Sequence, residues 1–269
     1  MMRFDPHVHT LASDGIDDVE AILAAALASG LDAIGIADHE RMDAALAAKA
    51  IAEHRGLPIE VVVGEEISTR GGHLLGLFLE ERIRPWYSLK DSIARVHDQG
   101  GLAIIAHPLP PYPLCASERT IRNLMDEADP LYHPDGMEGF NPTTARMPWS
   151  HKAPALAEEL GIAAVAGSDA HKAANVAGAV TLFKGTSMAD FRTALTARDT
   201  AWEGQPYTWQ SQLRMFRQQQ RKNLAAVADE IGGKLRRDGT GRDLGYPGGR
   251  HRPARFDRTA AGLSEDETA

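Results

Sequence analysis

Cysteine is nearly absent from this chain: Cys115 is the only one in 269 residues. That excludes an internal disulfide framework and any zinc site built from several thiolates, which leaves His, Asp and Glu as the possible metal ligands. No run of about 18 uncharged apolar residues occurs, so no membrane insertion is expected. The N-terminus passes straight into charged, strand-like sequence without the apolar core of a signal peptide, and a cytoplasmic location is expected. Positive charge is in deficit, with 29 Lys and Arg against 37 Asp and Glu and a net charge of -8. This argues against a protein body that coats nucleic acid. What is present is 43% hydrophobic residues, enough for one large domain or two small ones with a sizeable core.

Short apolar or β-branched runs, "DAIGIA", "IEVVVG", "HLLGLFL", "LAIIAH", "GMEGF", "IAAVAGSD" and "AGAVTLF", alternate with alanine-rich or amphipathic stretches. The pattern reads as α/β. The first helix is expected to start at Asp17 as N-cap, with Glu20 completing a capping box, and to stop at Gly30; "EHRG" closes the second in the same manner. Repeated strand-then-helix units predict parallel strands, in either a barrel or a doubly wound sheet.

The polar residues choose between these. His7 and His9 follow the first strand and, by alternation, point the same way. Asp38 and His39 close "AIGIA", Glu65 and Glu66 follow "IEVVVG", His107 closes "LAIIA", Asn141 closes "MEGF", and Asp169 with His171 follows "IAAVAGS". In an open sheet such strand ends spread along an edge, whereas in a barrel they form one ring. A barrel lets them share a site. His73 opens its run instead of closing it and must reach the ring from the rim.

The segments "DPHVHT..SDG", "IADHE", "GEEIST", "GHLLGLF", "IIAHP" and "GSDAH", in that order, resemble the metal-binding motifs of the PHP (polymerase and histidinol phosphatase) family of phosphoesterases over residues 3 to about 185. The resemblance implies a distorted (β/α)7 barrel of mostly parallel strands and two or three divalent ions, Mn, Fe or Zn with Mg also possible. It implies that His7, His9, Glu66 and Asp169 hold one ion, Glu66, His73 and His107 a second, and Asp14, His39 and His171 a third, with Glu66 as the bridge. Glu66, His107, Asp169 and His171 are the residues it places closest to the chemistry.

The expected activity is hydrolysis of phosphate mono- or diesters of a small metabolite or nucleotide by a metal-bridging hydroxide, with the ions neutralising charge on the phosphoryl oxygens. Two alternatives stand beside it: a nuclease trimming nucleic-acid ends, and a non-catalytic module stabilised by its metals. An amidohydrolase-type barrel also begins with H-x-H but ends on a lone Asp, where this chain has D-x-H. Only one strand and one helix fit between Glu66 and His107, so no inserted cap is expected and the site should be open.

Arg119, Asn141 and Arg146 are candidates for contacting substrate, Arg for its bidentate grip on oxyanions. Asp38 reads equally as an orienting partner of His39 or as a strand-end cap. His54, His97 and His251 read as solvated surface, and His133 and His151 as loop residues around the mouth. Residues 1–205 are read as the barrel, 206–233 as a C-terminal helix packing on it, and 234–269, rich in Gly, Arg and Pro, as a disordered basic tail capable of weak nucleic-acid contact. Truncation after about Lys234 should leave the melting temperature and small-ester turnover intact and weaken only polyanion binding; unfolding on truncation contradicts this reading.

Overall fold

The computed structural model describes residues 1–210 together with Leu213 and Arg217. The helix expected over 206–233 and the tail over 234–269 therefore lie almost wholly outside the described residues. Residues Met1–Tyr207 make one compact unit. Its elements run β1 (Met2–Val8), α1 (Val19–Ala28), β2 (Ala33–Ile36), α2 (Asp43–His54), β3 (Glu60–Thr69), β4 (Gly72–Leu77), α3 (Leu89–His97) and β5 (Leu102–Ile105). After these come α4 (Glu118–Met125), β6 (Gly136–Phe140), α5 (Ala153–Leu160), β7 (Ala163–Ala166), β8 (Ala179–Phe183), α6 (Met188–Ala197) and β9 (Thr200–Gly204).

The strands form one sheet in the order β7-β6-β5-β4-β3-β2-β1-β8-β9. β1, β2 and β3 pair in parallel, as do β5, β6 and β7. β4 is antiparallel to both of its neighbours. The sheet curls until its ends meet: the His9 amide donates to Ala170 O at 2.8 Å, Val8 bridges Ala170, and Thr181 Oγ1 exchanges hydrogen bonds of 2.9 and 2.8 Å with the Ala166 backbone. The result is an α/β, nearly closed, distorted barrel. β9 is a strand that "TAWEG" does not announce; it exists because β8 offers it an antiparallel edge from Phe183 to Ala179.

Inward-facing Phe4, Ala33, Val62, Leu75, Ile104 and Val165 fill the barrel, and a second cluster joins Ile34 on the outward face of β2 with Ile22 and Leu23 of α1, Ala48 of α2 and Ile93 of α3. At one end, Phe4 and Phe183 both meet Phe191 of α6, with ring centroids 5.0 and 5.3 Å apart. Removing such a buried ring typically costs about 3–5 kcal/mol. Pairing of β1 with β2 is irregular between Asp5 and Val8, where Pro6 has no amide hydrogen to donate. Gly35 is required opposite it, since a Cβ there would lie 2.6 Å from Pro6 O.

Local details correct two expectations. Asp18, not Asp17, caps α1, accepting from the Ala21 amide at 2.9 Å. Asp17 instead accepts from the Ala173 amide at 2.7 Å, and Glu20 forms a two-pronged pair with Arg55 at 2.7 Å; no capping box forms because both acids have longer-range partners. His97 is not a solvated residue. Its Nε2 lies 2.9 Å from Asp135 Oδ2 and its Nδ1 2.8 Å from Leu131 O, linking α3 to the start of β6. Among the described residues no helix is long and apolar enough to cross a membrane.

The hydrogen bond to Asp135, followed by its negative charge, raises the His97 pKa above its ordinary value. A raised histidine pKa contributes stability that is fully present below the unfolded value near 6.5 and fades as pH climbs through the folded one. His97→Gln should therefore lower the melting temperature more at pH 5.5 than at pH 9. An equal deficit at both pH values would show that the ion pair contributes nothing.

Candidate metal centre

Six strands deliver polar side chains to one end of the barrel. Because β4 runs antiparallel, its first residues lie at the end where its neighbours finish, and this brings His73 into the ring; Ser68 pairs with it across the hairpin. Glu66 sits where β3 leaves β2, bridging His39, and continues into the hairpin with β4. Alternation turns the two adjacent acids apart. Glu66 faces the ring, while Glu65 Oε2 accepts from the Ile83 amide at 2.9 Å on the other side of the strand. Burial pushes the Glu65 carboxyl up to about 8.

The two oxygens of Glu66 face different neighbours. Oε2 lies 3.3 Å from His7 Nε2, 3.2 Å from His9 Nε2 and 3.4 Å from His39 Nδ1. Oε1 lies 2.8 Å from His73 Nδ1 and 3.0 Å from His107 Nε2. Asp169 Oδ1 comes within 3.7 Å of His7 Nε2 and 3.4 Å of His9 Nε2. On the far side Asp14 Oδ2 lies 3.0 Å from His171 Nε2 and 3.8 Å from His39 Nε2, and Asp14 Oδ1 lies 3.6 Å from His9 Nδ1. All nine sequence candidates, His7, His9, Asp14, His39, Glu66, His73, His107, Asp169 and His171, are thus brought together.

The donors form three groups able to surround an ion: His7, His9 and Glu66; His39, Glu66 and His73; and His9, Asp14, His39 and His171. The 3.0 Å between His7 Nε2 and His9 Nε2 is close to the edge, roughly 3.3 Å, of a tetrahedron with bonds of about 2.0–2.1 Å. His9 Nδ1 is buried without a hydrogen bond. The remote ring nitrogens are held instead by the protein. His7 Nδ1 is 2.8 Å from Glu138 Oε1, His171 Nδ1 is 2.9 Å from Asp169 O, and His107 Nδ1 is 3.5 Å from Cys115 Sγ. For His7 and His171 this fixes the proton on Nδ1 and leaves the Nε2 lone pair aimed inward. The donor set fits divalent cations.

Electrostatics agree with that fit. Burial opposes charge on Glu66, yet His73, His39 and His7 hold its carboxyl well below the usual range. Asp169 is likewise held low against burial, by His7, His9 and His171. At two imidazoles of β1 and its end the burial that would lower them is outweighed, with Asp169, Glu66 and Asp14 pushing His9 up to about 10 and Glu138, Glu66 and Asp169 raising His7, whereas at His39 burial prevails and lowers it. Ionised carboxylates here demand positive charge, which protons supply when cations do not.

Glu138 is the residue that sequence reasoning passed over. Buried in the middle of β6, it accepts from the His107 amide at 2.7 Å and from Asn141 Nδ2 at 2.8 Å besides holding His7. Gly167 makes the room, since a Cβ there would lie 2.6 Å from His7 Cβ and 2.8 Å from Glu138 Oε1. The available signal was an acid inside the otherwise apolar run "GMEGF". Asn141 also reaches Asp169 Oδ2 at 3.3 Å, as does Thr143 Oγ1 at 2.8 Å. Asp38 does not hold His39; it accepts from the Thr10 amide and hydroxyl at 2.8 and 2.7 Å and from Ser13, fixing the loop that carries Asp14. Arg119 is exposed on α4, and Arg146 Nε donates to Tyr207 O at 2.9 Å. His133 binds Glu127 O and precedes β6, at the opposite end from the mouth.

A model of the PHP domain matches residues 5–142, half of the chain, and a model described as PHP-associated matches residues 148–200. The chain belongs to the PHP family. An uncharacterized protein of Methanocaldococcus jannaschii is 32% identical over 149 residues, covering 51% of this chain and 86% of the relative. A phosphoribosyl 1,2-cyclic phosphate 1,2-diphosphodiesterase of Eggerthella lenta is 35% identical over 83 residues, 29% of this chain and 31% of that enzyme. The PHP fold is shared with a two-domain Bacteroides vulgatus protein containing a predicted PHP-like metal-dependent phosphoesterase. That structure aligns with a TM-score of 0.60 and 21% identity over 81% of this chain and 69% of that one.

Loss of an orienting carboxylate behind a metal-binding imidazole commonly costs 10- to 100-fold in affinity. Glu138→Gln keeps the shape of the side chain, but with its oxygen accepting from His107 N and Asn141 Nδ2 its amide nitrogen can no longer accept from His7 Nδ1. Its Mn affinity by calorimetry should fall by about that factor with the melting temperature of the metal-free protein little changed. Undiminished affinity would make Glu138 a packing residue only.

Proposed function

We propose that this chain is a metal-dependent phosphoesterase acting on mono- or diesters of a small phosphorylated metabolite or nucleotide. One observation carries the reading: a single buried carboxylate, Glu66, divides its two oxygens between separate sets of imidazoles. That is the arrangement a carboxylate shared by two ions requires. His7, His9, Glu66 and Asp169 would hold the first ion, Glu66, His73 and His107 the second, and Asp14, His39 and His171 the third. When bound, such ions lower the pKa of water and neutralise charge on phosphoryl oxygens.

The protein's own residues shape what reaches them. His7, His9 and Glu66 form a floor that is 0–1% exposed, while Asp14 and His39 are 35% and 25% exposed in their side chains, so an ester enters over the Asp14 and His39 edge. Thr143 and Asn141 bind Asp169 Oδ2 and keep Oδ1 turned toward His7 and His9. The hydroxyls of Ser13 and Thr143 are tied to Asp38 and Asp169 and that of Ser68 lies against His73 Nε2, so water rather than a side chain is the expected nucleophile.

Glu66→Ala should lose metal at two sites together and reduce hydrolysis of a generic phosphate ester by about 10³-fold or more. Glu65→Gln, which keeps an acceptor for the Ile83 amide, should stay within about tenfold. Metal content by mass spectrometry and kcat for both variants decide the matter. Full activity after exhaustive EDTA treatment, with no metal detected, contradicts the reading.

A further inference from the structure

Large rings are left in solvent around the mouth. Trp86, Tyr112 and Trp149 are 59%, 50% and 41% exposed, and each is anchored to the centre's own scaffold. The Trp86 amide donates to Ser68 O at 2.8 Å, and Ser68 Oγ is 3.3 Å from His73 Nε2. Trp86 holds φ +69°, the left-handed region that bulky side chains avoid, so its exposed position is imposed by the fold. Tyr112 is displayed by the loop "PLPPYPL", whose prolines restrict it. Cys115 of the same loop touches His107. Tyr112 OH points to Met147 Sδ at 3.7 Å, on the loop that presents Trp149 and begins at Asn141.

Cations accompany the rings. Arg70 ends the β3 hairpin, Arg119 opens α4 and Arg146 lies in the loop after β6, all at the mouth end. Among the described residues none of the three is paired with a carboxylate, and Arg146 is steadied by its Nε donating to Tyr207 O at 2.9 Å. Rings that accept stacking and guanidinium groups free of carboxylates, set on three sides of one opening, suit a chain that alternates flat apolar groups with phosphates. A duplex hides its base faces, whereas a single strand leaves them open to stacking.

We propose that the mouth rim, Trp86, Tyr112 and Trp149 with Arg70, Arg119 and Arg146, is a docking face for single-stranded nucleic acid, with bases stacked on the rings and phosphates on the arginines. Docking does not depend on the metals; delivery of a phosphodiester to the centre rests on the phosphoesterase reading. The test uses the full chain in EDTA and a fluorescent single-stranded RNA of about 12 nucleotides, with anisotropy as the readout. Trp86→Ala, Tyr112→Ala and Trp149→Ala combined should weaken binding at least about tenfold, and each alone by less. Arg70→Gln, Arg119→Gln and Arg146→Gln combined should reduce the salt slope by about two. The ring variants should keep their melting temperature and their rate on bis(p-nitrophenyl) phosphate with Mn. Absence of binding by the unsubstituted chain, affinity indifferent to the rings, or equal affinity for a duplex of the same sequence overturns the docking face. Ring-dependent binding without hydrolysis of any phosphate ester sustains it and overturns the phosphoesterase reading; hydrolysis without binding does the reverse.

Discussion

A carboxylate with 1% exposure cannot remain ionised in a protein interior unless positive charge surrounds it. Glu66 sits among five imidazoles, two on one oxygen and three on the other, and of these His7, His9 and His107 hold their protons more tightly than an ordinary imidazole. Each of these rings comes from a different place in the chain or a different position on a strand, so satisfying one buried charge fixes the relative placement of β1, β2, β3, β4 and β5. The mouth is held together by the same groups that are proposed to do its chemistry.

The barrel supplies what that charge needs. Parallel strands bring His7, His9, His39 and His107 to one end, the β3–β4 hairpin turns back to add His73, and the junction of β7 with β1 adds Asp169 and His171 beside His9. A further layer keeps these groups from relaxing. Asp5, buried between β1 and the segment after β7, accepts from the Ser168 and Ala177 amides at 2.9 Å. Tyr207 OH donates to Ser168 O at 2.7 Å, so the end of the compact unit clamps the segment that carries Asp169. Burial pushes the Asp5 carboxyl up to about 6 despite these donors, a sign that this support costs stability in its own right.

Much of the centre could be read from the sequence because its parts are local. H-x-H, D-H and G-S-D-x-H each put metal-ligating side chains directly beyond an apolar run, and strand alternation alone separates Glu66 from Glu65. Longer-range facts were not encoded in that way. Nothing in "HLLGLFL" states that β4 runs antiparallel, although its reversal is what admits His73. Asp17 and Asp18 look alike as caps until Ala173, far along the chain, claims one of them. Glu138 shows itself only when β6 lies between β5 and β7, within reach of both His7 and His107. That Arg70, Arg119 and Arg146 are not paired with a carboxylate among the described residues likewise depends on where the fold places the acids.

Anomalous scattering from crystals grown with Mn tests the central claim most directly, because it locates ions without reference to turnover. Two peaks should flank the Glu66 carboxylate, about 3.5–4 Å apart, one beside His7 and His9 and the other beside His73 and His107, with a third near Asp14, His39 and His171. Peaks elsewhere, or a Glu66 carboxylate bonded only to imidazoles while Mn is present at saturating concentration, would contradict the assignment of Glu66 as the shared ligand.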